Sequence, residues 1–284
     1  MTANAVWSEA ARGDQPELSP VDMAALTRAV HDLENAGLAA KLSNMLGKQI
    51  EAAGKFVPER VAGMVNRAAG LALKTAMKAA LASLEGKPIK DSRKLHKALA
   101  AASGAAGGAF GLAALPVELP VSTTIILRSI ADIARAEGED LTNPESALAC
   151  VQVFALGGRE GADELLESSY FAMRGLLAKS VSEATRYLAN KGAADKSAPV
   201  IVRFLTQIAA RFGVVVSQKL AAQAIPLLGA AGGAAVNYAF VEHFQTVARG
   251  HFTVRRLERH YGAPLVRGEY ERLARMARED KTVA

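Results

Sequence analysis

From Pro20 to the C terminus, apolar residues recur three and four positions apart, alanine is abundant and β-branched runs are short. That spacing is the period of an α-helix, and strand-like alternation never persists long enough to compete with it. The one locally β-branched stretch, 213–216, is flanked on both sides by helical sequence. The chain is therefore predicted to be all-α, a single multi-helix bundle. Helices are expected over roughly 20–35, 38–53, 58–84, 91–114, 121–137, 144–156, 162–190, 197–222, 228–248, 252–261 and 267–279. Several ends have a chemical reason. Asn143 and Pro144 supply an N-cap and a first-turn proline. Gly138 and Gly192 sit where a left-handed C-cap would stop the preceding helix. Pro199 requires a helix to begin close to Ser197.

Two windows, 98–117 and 220–241, carry no charge over 20 and 22 residues. Either is long enough to cross a bilayer as one helix. Glycine, alanine, Gln223, Asn237, Pro116 and Pro226 dilute them, so they are read as buried helical hairpins at the centre of the bundle. Each window contains GAAGGA, at 104–109 and 229–234, which is compatible with an internal duplication. Gly104 and Gly108, Gly107 and Gly111, and Gly229 and Gly233 are spaced by four, with Gly232 beside the last pair. A helix face without Cβ atoms admits a neighbouring backbone closely. The expectation is that the 98–114 and 228–248 helices touch each other, or a third helix, through these glycines.

At 284 residues and 50% hydrophobic composition, the chain can bury a sizeable core and is too apolar to be disordered. A single cysteine, Cys150, excludes a disulfide framework or a multi-cysteine metal site, and its apolar neighbours mark it as structural. Residues 1–19 lack the basic and apolar regions of a signal peptide and read as an acidic tail. An all-α domain is expected over 20–284, in the cytoplasm.

The formal charge of +6 is unevenly spread. Residues 1–40 sum to −4, 41–97 to +8, 98–248 to −2 and 249–284 to +4. Such a split points to anionic partners. Lys41, Lys48 and Lys55 recur every seven residues, as do Arg60, Arg67 and Lys74, with Lys78 one turn on. Seven residues return nearly to the same helix face, so these seven form basic stripes beside an apolar side. Basic amphipathic helices of this kind bind anionic lipid, and the seven are candidate membrane-binding residues. The ordinary alternative is a solvated outer face.

Arg128, Asp132 and Arg135 follow at i, i+4 and i+7, a spacing suited to an ion-pair ladder down one helix. With Glu118 and His243 they are the candidates for a polar cleft near the apolar hairpins. No catalytic signature accompanies them. Gly157-Gly158 is not followed by Gly-Lys-Ser/Thr, and Glu242-His243 lacks a second histidine four residues on. Glu160, Asp163, Glu164 and Glu167 need no more than a helix dipole to explain them. Neither a metal nor a cofactor is implied.

The run LPVELPVSTTIILRSIADIARAEGEDLTNPE at 115–145 resembles the central signature of the bacterial EcsC protein family. So do VFALGG at 153–158 and SYFAMR at 169–174, and the run IPLLGAAGGAAVNYAFVEHFQTVARGHFTVRRLERHYG at 225–262 is similar to that family's C-terminal block. Together they span roughly residues 40–265. Glu118 stands where the family pattern has Asp, and Ser169-Tyr170-Phe171 where it has Gly-Tyr-Tyr. The family is named for a gene neighbouring ABC-transporter subunits, and the resemblance brings no reaction and no catalytic residues with it. It implies a non-enzymatic accessory or regulatory protein of a transport or envelope process, peripheral at the inner membrane, with a transporter or envelope protein as a further partner. A hydrolase using His243, Glu118 or Asp132 between the glycine-rich helices is one alternative. A nucleic-acid-associated protein using the basic segments is another, disfavoured because no helix-turn-helix, RRM or OB signature accompanies them. The sequence sets no oligomeric state.

Overall fold

A computed structural model describes residues 17–35, 37–38, 41–42, 59–83, 115–158, 170–191, 198–223 and 229–283. Among them every long element is a helix: α1 (Pro20–Glu34), α2 (Glu59–Ser83), α3 (Leu115–Ala136), α4 (Pro144–Leu156), α5 (Tyr170–Lys191), α6 (Pro199–Gln223), α7 (Gly229–Tyr261) and α8 (Ala263–Val283). The all-α bundle is the fold.

Local chemistry sets the element ends. Ser19 caps α1 by accepting from the Asp22 amide at 3.1 Å, with Pro20 in the first turn. Asn143 does the same for α4 through the Glu145 amide at 2.8 Å. The α3–α4 turn closes on Gly138, whose φ of +80° only glycine adopts without strain. Its amide bonds the Arg135 carbonyl and that of Glu139 bonds the Ala134 carbonyl, the paired closure of a Schellman motif.

Two features differ from the sequence expectation. α3 starts at Leu115, not near 121, and carries Pro120 inside it. Pro116 falls in the first turn, where no amide partner is needed, so Pro120 costs a single helical bond. The expected break between 248 and 252 is absent. α7 is one helix of 33 residues, and its Gly250 is tolerated because α1 packs against that bare backbone. A Cβ there would lie 2.6 Å from Leu33 Cγ. The uncharged window 220–241 falls on the end of α6 and the start of α7, in keeping with the expected helices 197–222 and 228–248.

The centre is α4, in which every residue from Ser146 to Leu156 is buried. It touches α2, α3, α5, α6 and α7. Gly157 and Gly158 end it at a tight crossing: a Cβ on Gly157 would meet Phe244 at 2.8 Å, and one on Gly158 the Arg211 carbonyl oxygen at 2.5 Å. Four phenylalanines lock this crossing. Phe154 packs edge-on to Phe212 at 5.1 Å between centroids, and Phe244 sits 5.1 Å from Phe154 and 5.2 Å from Phe240. Around the centre, α7 touches α1, α3, α6 and α8 besides α4, so the longest helix has as many neighbours as the central one.

Gly232 and Gly233 are buried in α7, and Gly229 opens it. Gly104, Gly107, Gly108 and Gly111 lie outside the described residues, as does the contact expected of the 98–114 helix. The acidic positions Glu160, Asp163, Glu164 and Glu167 also lie outside them, as does Gly192.

Candidate functional site

The basic stripe survives on α2. Its inner face is Val65, Ala68, Ala69, Ala72, Leu73, Ala76, Met77, Ala80 and Leu81, all buried against α3, α4 and α6. That burial fixes the helix roll and turns Arg67, Lys74 and Lys78 outward, where all three are exposed. Leu71 stands among them, 51% exposed. Among the described residues none of the three cations has an ion-pair partner. Arg60 begins the helix, and its side chain lies outside the described part, as do Lys48 and Lys55 altogether. Lys41 does not join this face. It is half-buried and donates to Thr246 Oγ1 at 3.3 Å.

Beside the stripe, α2 and α6 leave a furrow of about 440 Å³ between them. Its walls are mostly apolar and its residues small: Gly70 from α2 and Val202, Leu205, Ala209 and Ala210 from α6, with Lys74 at the rim. Among the described residues α6 is the one helix long and apolar enough to cross a membrane, and 44% of its most apolar window is buried.

The five polar-cleft candidates engage different partners. Glu118 is buried and accepts from Lys219 Nζ at 2.6 Å; Lys219 is wholly buried, and its ammonium lies 4.8 Å from the Phe240 ring centre. Burial pushes the Lys219 pKa down, against the opposing charge and hydrogen bond of Glu118. Asp132 is buried and pairs with Arg135 at 3.1 Å, while Arg128 is exposed, so one half of the expected ladder forms among the described residues. His243 Nε2 lies 2.9 Å from the Gly157 carbonyl, which can only accept, so the proton sits on Nε2. Burial, reinforced by the charge of Lys41, outweighs that bond and brings the His243 pKa down to about 4. Each of the three hydrolase candidates thus has a different neighbour: a lysine, an arginine and a backbone carbonyl.

A polar cleft does exist, elsewhere. It holds about 450 Å³ where the α3–α4 turn meets α5 and α7. Glu139, buried at its floor, accepts from Arg255 Nε at 2.8 Å and from Ser146 Oγ at 2.6 Å, and also from Arg259. Burial raises the Glu139 pKa, but these bonds and the two guanidinium charges overcome it and hold the carboxyl below its ordinary range. On the far wall Arg174 pairs with Glu258 at 2.8 Å and reaches the Tyr170 hydroxyl, which lies 2.8 Å from His251 Nδ1. His251 is wholly buried, which drives its pKa well down. Helical spacing within one segment could not find these groups, since their partners lie 84 and 116 residues apart. One signal was present: Glu139, Arg174 and Arg255 each fall in a different one of the four blocks that carry the family resemblance. Chemically the cleft is a latch, because its arginines and carboxylates satisfy one another.

The same holds for most of the C-terminal arginines. Arg249 pairs with Glu242, Arg256 with Asp22 and Glu137, Arg267 with Glu271 and Arg272 with Glu269. Guanidinium groups engaged this way are not presented to a phosphate backbone, which weighs against the nucleic-acid reading. Cys150 is buried, and burial pushes its thiol up to about 12, in keeping with a structural role.

A family model described as the EcsC protein family matches residues 7–257. No curated protein and no solved structure matches the chain.

Proposed function

The chain belongs to the EcsC protein family, and from that premise together with the basic face of α2 we propose that it is a non-enzymatic accessory or regulatory protein working at an anionic membrane surface. The observation that carries this reading is the cluster of Arg67, Lys74 and Lys78 around exposed Leu71, with no carboxylate paired to the three cations among the described residues. Arg174, Arg249, Arg255, Arg256 and Arg259 find acidic partners within the fold, whereas these three cations face solvent together on one helix, and an anion from outside would complete them. An anionic bilayer supplies a field worth about 1 kcal/mol per basic residue near its surface, and an apolar boundary for Leu71. The cytoplasmic leaflet is the surface of that kind, and the process served is one of transport or of the envelope, with a transporter or envelope protein as the further partner.

Flotation with vesicles tests this. The full chain is expected to float with vesicles containing phosphatidylglycerol and not with purely zwitterionic ones. Binding should fade as salt shortens the Debye length from about 10 Å at 0.1 M to about 3 Å at 1 M. Reversing Arg67, Lys74 and Lys78 to Glu should weaken it on the order of a hundredfold, while the helical circular dichroism is unchanged. Equal flotation of the triple variant would overturn the reading, and tight binding of RNA or DNA without lipid would replace it.

A further inference from the structure

The furrow between α2 and α6 is apolar, narrow and edged on one side by positive charge. Asn66 packs against Gly213 of α6, where a Cβ would lie 3.0 Å from Asn66 Oδ1. From Asn66 the furrow follows α2 through Gly70 to Lys74, a run of about 12 Å at the helical rise per residue. Its depth comes from what is missing. Gly70 has no side chain, and a Cβ placed there would meet nothing within 4 Å. Across from it Ala209 and Ala210 are small, and Val202 is 43% exposed.

Apolar surface of this shape is favourably covered by a hydrocarbon. A furrow of about 440 Å³ is small for a docked helix about 10–12 Å across, whereas an alkyl chain is thin enough to lie in it. The rim selects the head group. Lys74 lines the furrow, and Arg67 and Lys78 lie seven residues before it and four after it on the same face. An apolar slot ending at unpaired cations matches a chain that ends in an anion.

We propose that the α2–α6 furrow holds one acyl chain of an anionic phospholipid, with Lys74 at its phosphate and Arg67 and Lys78 supporting the charge. The inference rests on the reading of α2 as the lipid-facing side and adds to it a discrete, saturable site. A lipid held there ties the protein to the bilayer by stoichiometric contact, beyond the diffuse attraction of a charged surface.

The probe is lauroyl lysophosphatidylglycerol below its micelle concentration, titrated calorimetrically into the full chain. Comparators are the phosphocholine lipid of the same chain and glycerol phosphate, which has the head without the chain. Saturable one-to-one binding is expected for the first, at least tenfold weaker binding for the second and none for the third. Gly70→Leu fills the furrow from an open position and should weaken binding at least tenfold with an unchanged or higher melting temperature. Ala210→Phe, at an exposed position of α6, should do the same from the other wall. Lys74→Ala should weaken the anionic lipid and leave the phosphocholine lipid as it was. No saturable binding by the parent chain, equal binding by both filled variants, or glycerol phosphate bound as tightly as the lipid would overturn the proposal. Vesicle flotation of the same proteins separates the two readings. Flotation that persists where monomer binding is absent leaves the membrane surface standing without the site, and monomer binding without flotation does the reverse.

Discussion

Two buried side chains, Lys219 and Glu118, carry a large energetic stake at the scale of single residues. Removing one partner leaves an uncompensated charge in the core, at a cost of about 3–5 kcal/mol. Lys219→Met alone is therefore expected to lower the urea midpoint sharply, and Lys219→Met with Glu118→Leu should recover most of the loss. A double variant as unstable as the single one would mean the pair is not the source. His243 sets a second expectation. Its folded pKa near 4 lies below the unfolded value of 6.5, so the folded state stays neutral while the unfolded chain takes up a proton. Stability is thus complete above about pH 6.5 and falls as the pH drops toward 4, by about 2 kcal/mol at pH 5 from this residue alone. Denaturation at pH 7 and pH 5 checks it, with His243→Asn expected to reduce the difference by that amount and to leave the share due to buried His251. Sequence reasoning picked out Glu118 and His243 as polar groups near apolar segments, and both are. It set them in one cleft because helical spacing gives a face without its neighbour. Lys219 lies 101 residues from Glu118 and draws no notice until the fold brings them together.

Elements were legible where local chemistry decides them. The Asn143-Pro144 start of α4, the Gly138 stop after α3 and the first-turn Pro199 of α6 each follow from capping and backbone geometry, and each is present. The continuity of α7 through Gly250 was not legible, because glycine there answers to α1 across the interface and not to its own helix. Glycines that look alike in sequence therefore call for opposite outcomes on substitution. Gly250→Ala should destabilise by about 1–3 kcal/mol, since Leu33 Cγ and the Ala29 carbonyl must move. Gly70→Ala should stabilise by up to about 1 kcal/mol, since its Cβ meets open space and alanine favours the helix. Thermal melts of the two variants measured together decide the matter, and shifts of the same sign would contradict it.

The whole molecule was legible as a class and not as an arrangement. A nearly continuous apolar pattern such as 147–156, broken by Gln152, marks a helix buried on all sides, but five neighbours surround it, and no periodicity says which five. At this scale α7, about 50 Å long, joins what would otherwise be separate regions. Its first half faces the phenylalanine crossing, and its second half carries Arg255, Arg256 and Arg259 to the α3–α4 turn and to α1. From His243 to Ala248, six consecutive residues are buried, so no side of the helix there is open to water. Amide hydrogens in that stretch can reach solvent only when the surrounding helices separate together. Their deuterium uptake should therefore be the slowest in the chain and should track urea stability one for one, while amides on the solvent side of α8 exchange by fraying. The middle of α7 thereby serves as an internal clock for the integrity of the fold, and any ligand that binds the folded state alone would slow it.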